Sequence, residues 1–445
     1  MNAHTRSPRP SRGMRRGAGA AGLAVCLAVI GAAPAPASVP LRPPATSRGS
    51  LVLVGGGLKD DNTQVYGEII RRAGGPGRAR IGVLTAASVP ASQDPNADDP
   101  ATCSNSACNG AYYAGLFRQH GAADAQWIPV DLDHLANAES DAVVEQIDSM
   151  TGFFFGGGDQ YRYVTTLLHG DRHTDSKVLA AIRAKLKAGA VVAGSSAGAQ
   201  IASGPDMLTG GDSYPALRDG SHPGYFDDPA VLGYLPEGGF GFLRSGLVDT
   251  HTGTAGREGR SLRLAADTGH DLVYALDEDT ALVVDHAGSS RERVKVIGSQ
   301  GVSLLDLSGA HAGEGPAGWH LHNARYTYLS SGDSYDPGAG TVATPGKRAL
   351  APTSHDPVPS NTDVFHSPDN TEGAPYSLRG TARALASSTL HTATATTYED
   401  NPRFTVTLAE PHGFRPLSAD GHTPHTLVGL RLDIDADQPG AGTQR

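Results

Sequence analysis

Strand-like and helix-like segments alternate regularly through the first half of the chain. A buried apolar run at Leu51–Val54 is followed by a helical pattern at 63–73 and a second apolar run at 80–85. This alternation continues to a strand at 190–193. Alternating strands and helices form βαβ units, in which helices cover both faces of a parallel sheet. We therefore predict an α/β fold whose functional sites lie at the carboxyl ends of the strands.

The segments between these runs follow the same pattern. Strands are predicted at 126–130 and 152–155, and helices at 110–120, 139–149, 160–168 and 176–188. Three glycine-containing loops then fall at the carboxyl ends of strands, namely Gly55–Gly57, Gly156–Gln160 and Gly194–Gly198. These loops are the candidate places for chemistry.

The N-terminus has the composition of an export signal. Residues 1–16 carry five arginines and no acid, and the apolar run Ala18–Ala33 leads into an Ala/Pro-rich stretch. That run is shorter than the ~20 residues that a membrane-spanning helix needs. We predict a signal peptide at 1–38, a linker at 39–49, no membrane span and a secreted protein. The pair Arg15–Arg16 leaves the twin-arginine route open beside the general secretory route.

The net charge argues against nucleic-acid binding, and the cysteine content predicts a disulfide. Lys and Arg number 36 against 46 Asp and Glu, so the net charge is −10 and a nucleic-acid-binding surface is not expected. Cys26 lies in the predicted signal, whereas Cys103 and Cys108 remain in the mature chain. In an oxidising compartment this pair is expected to form a disulfide. No cluster has metal-ligand spacing, so neither a metal nor a cofactor is predicted.

A tight strand-to-helix turn predicts a nucleophilic serine. The five residues 194–198 fit the pattern G-x-S-x-G, follow the strand at 190–193 and precede an apolar helical segment. In this context the middle residue, Ser196, is exposed at a helix N-terminus, where backbone N–H groups favour developing negative charge. The backbone N–H groups of Gly158 or Asp159, together with that of Ala197, are candidates for the oxyanion hole.

The serine requires a base and a group that orients it. His251 ends the short apolar run that begins at Leu247 and is the best candidate for the base. Asp206, Asp212 and Asp249 are candidates for the acid. The chain order serine, acid, histidine favours the first two, and Asp212 is preferred because it lies just past a predicted strand.

Four segments in order resemble the cyanophycinase family of serine peptidases, which is related to dipeptidase E. Together they cover about residues 50–300. They are the F-x-G-G-D-Q-like loop at 153–160, the S-A-G-A elbow at 196–199, the D-x-H segment at 249–251 with the arginines after it, and the D-E-D-T-A strand at 277–281.

This resemblance implies a fold and an activity. The fold is a flavodoxin-like three-layer α/β/α sandwich akin to the class I glutamine amidotransferases. The activity is hydrolysis of cyanophycin by a Ser–His–acid site without a cofactor. Cyanophycin has a poly-aspartate backbone with arginine on each side-chain carboxyl, and the product is the β-Asp-Arg dipeptide. A homodimer is a further expectation of the resemblance.

The resemblance also implies roles for individual residues. Ser196 is the nucleophile, His251 the base, and Gln160 part of the substrate-binding loop. Arg257 and Arg260 would grip substrate carboxylates, which suits the forked geometry of guanidinium groups.

Three positions depart from the family pattern. Thr250 stands where the family usually has Gln, and Ala255 stands where it has an arginine. The family's third triad member is often Glu, and Tyr214 falls near its expected place.

The rest of the chain has a different composition. We predict a catalytic domain at 50–330 and a Gly/Pro/Ser-rich, irregular and partly β extension at 331–445, with short alternating runs at 403–408 and 427–432. Three other functions remain open. They are an Asp-specific or isoaspartyl dipeptidase, a secreted α/β-hydrolase esterase, and a non-catalytic polymer-binding protein.

Overall fold

The computed structural model describes residues 49–352 and 357–437. The predicted signal peptide at 1–38 lies outside the described residues, as does the predicted linker apart from residue 49. Among the described residues, no helix is both long and apolar enough to cross a bilayer.

The strands are numbered in chain order. They are β1 (Ser50–Val54), β2 (Arg80–Leu84), β3 (Asp124–Trp127), β4 (Gly152–Phe155), β5 (Leu168–His169), β6 (Thr174–Asp175), β7 (Val191–Ser195), β8 (Met207–Gly210), β9 (Ser221–Pro223), β10 (Leu232–Leu235), β11 (Leu247–Asp249), β12 (Leu272–Leu276), β13 (Thr280–Asp285), β14 (Arg293–Gly298), β15 (Gly301–Asp306), β16 (His311–Gly315), β17 (Gly318–Ser330), β18 (Ser334–Asp336), β19 (Thr341–Ala343), β20 (Arg348–Ala349), β21 (Thr392–Thr396), β22 (Phe404–Ala409), β23 (Arg415–Ser418) and β24 (Thr426–Ala436).

The helices follow the same convention. They are α1 (Thr63–Arg72), α2 (Ser106–Gln119), α3 (Asp141–Ser149), α4 (Gln160–Leu167), α5 (Lys177–Ala188), α6 (Ala197–Gln200), α7 (Ser213–Asp219), α8 (Thr252–Ala255), α9 (Glu258–Thr268) and α10 (Ser377–Ser387). Local chemistry sets several of these bounds. Helix α5, for example, begins where the Ser176 side chain accepts from the Leu179 amide, and it ends at Gly189 in the left-handed conformation.

The first sheet carries the predicted βαβ units. Its strand order is β19-β18-β14-β13-β1-β7-β4-β2-β3, and the five strands from β1 to β3 in that order are parallel. Alternate residues of a strand face opposite sides. Val52 and Val54 pack with α1 and α2, whereas Leu51 and Leu53 pack with α3, α4 and α5. The predicted three-layer α/β/α fold of the flavodoxin-like kind is confirmed, and the predicted elements agree with the observed ones to within a few residues.

The second sheet joins the catalytic region to the C-terminal part of the chain. Its order is β11-β12-β15-β17-β24-β22-β21. The strand β24 pairs with β17 on one side and with β22 on the other. A single hydrophobic core includes residues from both sides of residue 330, such as Leu262 and Leu430. The extension is therefore partly β, as expected, and it is continuous with the catalytic region through this sheet and core.

Candidate active site

The turn after β7 holds Ser196 in an unusual conformation. Ser196 has φ +55° and ψ −119°, outside the regions that L residues normally occupy, and it directly precedes α6. Its backbone N–H donates to the Val54 carbonyl at 3.0 Å, which ties the turn to the neighbouring strand β1. This is the geometry expected of a nucleophile elbow, in which strain is maintained by the surrounding structure.

Two parallel strands of the second sheet bring a histidine and a carboxylate to the same edge. Strand β11 pairs with β12 so that Asp249 lies opposite Ala275. His251 and Glu278 follow the carboxyl ends of these two strands. The His251 Nδ1 lies 2.6 Å from Glu278 Oε1, and its Nε2 lies 2.7 Å from Ser196 Oγ.

These two contacts define the proton positions. An ionised carboxylate only accepts hydrogen bonds, so Nδ1 carries the proton and donates a hydrogen bond to Glu278. In the neutral imidazole Nε2 is then the acceptor for the Ser196 hydroxyl. The arrangement can remove a proton from Ser196 and stabilise the imidazolium that results.

The acid beside His251 is Glu278 rather than the predicted Asp212. Asp212 precedes α7, and its backbone N–H donates to Pro229 O at 2.8 Å. Burial raises the pKa of the Asp212 carboxyl, and the charges that face it are those of Arg260, Arg257 and Asp369. The expected order serine, acid, histidine does not hold because β12 delivers its acid after the histidine. Glu278 lies within the D-E-D-T-A segment, and its position two residues beyond a strand was the signal that could have identified it.

A glycine loop after β1 lies against both partners. A Cβ on Gly56 would sit 2.1 Å from His251 Cε1 and 2.3 Å from Nε2. A Cβ on Gly57 would sit 3.0 Å from the Glu278 carboxyl carbon. The His251 backbone N–H donates to Gly55 O at 2.8 Å. The predicted loop Gly55–Gly57 therefore forms a cradle for the imidazole and its carboxylate.

The predicted oxyanion hole is only partly available. The Asp159 N–H donates to Ala87 O at 2.8 Å, so it cannot also serve an oxyanion in this conformation. Among the described residues, no hydrogen-bond acceptor is recorded for the N–H groups of Gly158 or Ala197. Gly157, which was not among the predicted donors, lies against the serine, because a Cβ on it would be 3.2 Å from Ser196 Cβ. The donors beside the serine are therefore Gly157 and Ala197, and Gly158 follows Gly157 in the chain.

Gln160 is buried and bonded within the protein. Its Nε2 donates to Leu208 O at 3.1 Å and to Thr209 O at 2.9 Å. The side chain thus anchors β8 to the start of α4. The amide nitrogen is therefore used within the protein, and the role of Gln160 in the substrate-binding loop stays a prediction.

Arg260 is also committed to the protein rather than to a ligand. Its Nε and Nη2 form a two-pronged bond to Asp249, at 2.9 and 2.6 Å, and its Nη1 donates to Gly211 O. Burial acts to raise the pKa of Asp249, but the Arg260 charge and hydrogen bonds outweigh it and the pKa lies below its ordinary value. The expected substrate-binding role of Arg260 is wrong in this structure, because the side chain is 3% exposed and satisfied by Asp249.

Arg257 keeps unused hydrogen-bonding capacity. Its Nη1 donates to Thr250 O at 3.0 Å, while its Nε is buried and has no partner among the described residues. Burial, and then the neighbouring Arg260 charge, lower its pKa to about 10, so the guanidinium stays charged at neutral pH. Of the two predicted arginines, Arg257 is the one with donors left for a ligand.

Cys103 and Cys108 form a disulfide at the start of α2. The adjacent Asn105 caps this helix by accepting from the Cys108 amide at 3.0 Å. Within the described part of the chain, no group of three or more His, Cys, Asp or Glu side chains is arranged to hold a metal ion.

Comparison with known proteins places these residues in context. The model of peptidase family S51 matches residues 112–291, a range that contains Ser196, His251 and Glu278. A cyanophycinase from Nostoc sp. is 28% identical over 308 residues, covering 67% of this chain and 89% of that protein. A cyanophycinase from Geminocystis herdmanii is 29% identical over 235 residues, covering 51% and 76%. The solved structure of a peptidase from an acI-B1 Actinobacterium is 19% identical with a TM-score of 0.42, covering 65% of this chain and 97% of that one.

Proposed function

We propose that this chain, a serine-type peptidase of the S51, cyanophycinase-like kind, is a secreted exopeptidase that hydrolyses cyanophycin to β-Asp-Arg dipeptides. The observation that carries the catalytic part is the continuous line of hydrogen bonds from Ser196 through His251 to Glu278. The similarity to cyanophycinases over most of their length supports the substrate.

In the proposed mechanism, Ser196 Oγ attacks the scissile carbonyl carbon while His251 Nε2 takes the hydroxyl proton. The same proton passes to the amine of the leaving fragment as the peptide bond breaks. Water then attacks the Ser196 ester and gives a proton to His251, which passes it to Ser196 Oγ as the ester bond breaks and the acid fragment leaves. Glu278 accepts from Nδ1–H throughout, which holds the imidazole in the useful tautomer.

Backbone donors stabilise the negative charge of each tetrahedral intermediate. The N–H groups of Gly157, Gly158 and Ala197 are the candidates, since Gly157 and Ala197 lie beside the serine, Gly158 follows Gly157, and none of the three has an acceptor among the described residues. Donors of this kind, fixed before the reaction, act strongly because they need not reorganise.

Arg257 is the proposed anchor for a substrate carboxylate. It is charged, it directly precedes α9, and its Nε lacks a partner in the described structure. A charge-assisted bond to a carboxylate would satisfy that donor. The poly-aspartate backbone of cyanophycin ends in such a group.

Export is part of the proposal. It is supported by the composition of residues 1–38 and by the Cys103–Cys108 disulfide, because disulfides persist mainly in oxidising compartments. The family resemblance adds a homodimer to the proposal.

An Asp-specific dipeptidase is the second candidate. The observation that favours it is the pair of departures at Thr250 and Ala255, where the cyanophycinase pattern has Gln and an arginine. Fewer side chains to hold a polymer would leave an enzyme that acts on short peptides.

Product analysis distinguishes the two candidates. The purified protein is incubated with insoluble cyanophycin, and the products in the soluble fraction are identified by mass spectrometry. A Ser196→Ala variant is treated in the same way as the control. We expect β-Asp-Arg from the parent protein only. Cleavage of a short Asp-containing dipeptide without release from the polymer would overturn the substrate proposal. Equal release by the Ser196→Ala variant would overturn the catalytic one.

A further inference from the structure

Helix α10, from the C-terminal extension, reaches the loops that carry the catalytic base and acid. Arg379 is 9% exposed, and its Nη1 lies 3.2 Å from Asp277 Oδ2 and 3.0 Å from Gln300 Oε1. Asp277 directly precedes Glu278. The extension therefore places the buried positive charge of Arg379 beside Asp277, the residue that precedes the catalytic carboxylate.

Asp277 also holds the loop that carries His251. Its Oδ1 accepts from the Gly253 N–H at 3.0 Å, and its Oδ2 accepts from the Tyr328 hydroxyl at 2.8 Å. One carboxylate thus connects the acid's turn, the base's loop and the second sheet. Burial raises the pKa of Asp277, and the Arg379 charge acts in the opposite direction.

The extension contacts the same loop a second time, through Tyr376. The Tyr376 N–H donates to the Gly253 carbonyl, and its hydroxyl lies 3.2 Å from Thr254 Oγ1. The Arg379 guanidinium stacks over the Tyr376 ring at 4.0 Å, within the range of a cation–π contact. Gly253 is therefore held at its N–H by Asp277 and at its C=O by the extension.

Two other ionisable side chains, Glu258 and Arg383, lie near Asp277, but Arg379 is the one of the three that bonds to it among the described residues. Burial raises the pKa of Glu258 to about 8, which favours the neutral form of this neighbour. Arg383, one turn further along α10, lies over the Tyr328 ring, and its Nε has no partner among the described residues. No bond from Arg383 to Asp277 is recorded in the described structure.

We infer that Arg379 is a positioning residue for catalysis, through which the C-terminal extension keeps His251 and Glu278 in their positions relative to each other. The inference rests on the proposed Ser196–His251–Glu278 centre and not on the identity of the substrate. A buried carboxylate that loses its cation must rearrange or take up a proton, and either change moves the groups attached to it. A misplacement of catalytic groups by about 1 Å can cost about 10²-fold in rate.

Point variants test this better than a deletion, since β24 lies inside the second sheet and its removal would expose the core. The variants are Arg379→Met, Arg379→Lys, Asp277→Asn with Arg379→Met, and the matched control Arg383→Met. The readouts are kcat and KM on the cleaved substrate and the rate at which a phosphonyl fluoride modifies Ser196. The second readout needs no substrate, so the inference can be judged even where cyanophycin is not cleaved.

We expect Arg379→Met to lower both kcat and the modification rate by about 30- to 100-fold with KM within about threefold. Arg379→Lys and Arg383→Met should stay within about threefold of the parent, because the first keeps the buried charge and the second does not contact Asp277. The double variant should recover most of the loss, since it removes the uncompensated carboxylate.

Three results would overturn the inference. They are a folded Arg379→Met protein with parental rates, an equal loss in Arg383→Met, and a double variant no faster than the single one. If Arg379→Met does not fold, a folded and active double variant supports the inference, and an inactive double variant overturns it.

Discussion

Replacing Glu278 with Gln is expected to lower kcat by about 10³- to 10⁴-fold, the size of effect produced by losing the acid of a serine triad. A neutral amide can present either an N–H or a C=O to Nδ1. It therefore no longer holds the imidazole in the tautomer with an unprotonated Nε2, and it does not stabilise the imidazolium. The hydrogen bonds of 2.6 and 2.7 Å at the two ring nitrogens are the basis of this prediction.

Asp212→Asn is the matched control for this substitution, because it makes the same chemical change in the carboxylate that sequence order favoured. We expect its kcat to stay within about twofold of the parent, as for substitutions that touch no reacting group. Steady-state kinetics on the cleaved substrate give both numbers. A large loss in Asp212→Asn combined with a small one in Glu278→Gln would show that the acid has been misassigned.

Gly56→Ala is expected to lower kcat by about 10²- to 10³-fold while the protein remains folded, because displacing a catalytic group has effects of this size. The added methyl group would lie 2.1 Å from His251 Cε1 and 2.3 Å from Nε2, so the imidazole must move away from Ser196. KM should change little, since the loop contacts the base rather than the proposed substrate anchor.

Gly74→Ala separates this clash from backbone strain. Gly56 has φ +94° and Gly74 has φ +114°, and both are unfavourable for alanine, but a Cβ on Gly74 meets nothing within 4 Å. Both variants should lose about 1 kcal/mol of stability from backbone strain, and only Gly56→Ala, which also displaces His251, should lose activity. Parental kcat in a folded Gly56→Ala protein would contradict the proposed cradle.

The five parallel strands of the first sheet could be predicted from the sequence because they are short and separated by helices, whereas its antiparallel strands β13, β14, β18 and β19 were not predicted as part of it. The pattern is local, and the parallel strands β1, β4 and β7 are buried on both faces, whereas the edge strand β3 is only partly buried. The second sheet could not be predicted as a unit. The runs at 403–408 and 427–432 correspond to β22 and β24, but β24 pairs with β17 about a hundred residues earlier, and no local pattern reports that pairing.

The residues of the candidate site were also only partly predictable from local sequence. Ser196 directly follows β7 and His251 follows β11 after Thr250, and both could be identified on that basis. Glu278 was missed because the assumed order of the triad placed the acid before the histidine. Arg257 and Arg260 are equivalent in sequence, and only the structure reveals that Asp249 occupies one of them.

Covalent labelling tests most directly whether Ser196 is a nucleophile activated by His251. The purified protein is treated with a phosphonyl fluoride, digested, and mapped by mass spectrometry. We predict that Ser196 is the single modified residue and that the Ser196→Ala variant is not modified. Modification of Ser196 in the His251→Ala variant should be much slower than in the parent. Modification of the adjacent Ser195 instead, or labelling of Ser196 that does not depend on His251, would contradict it.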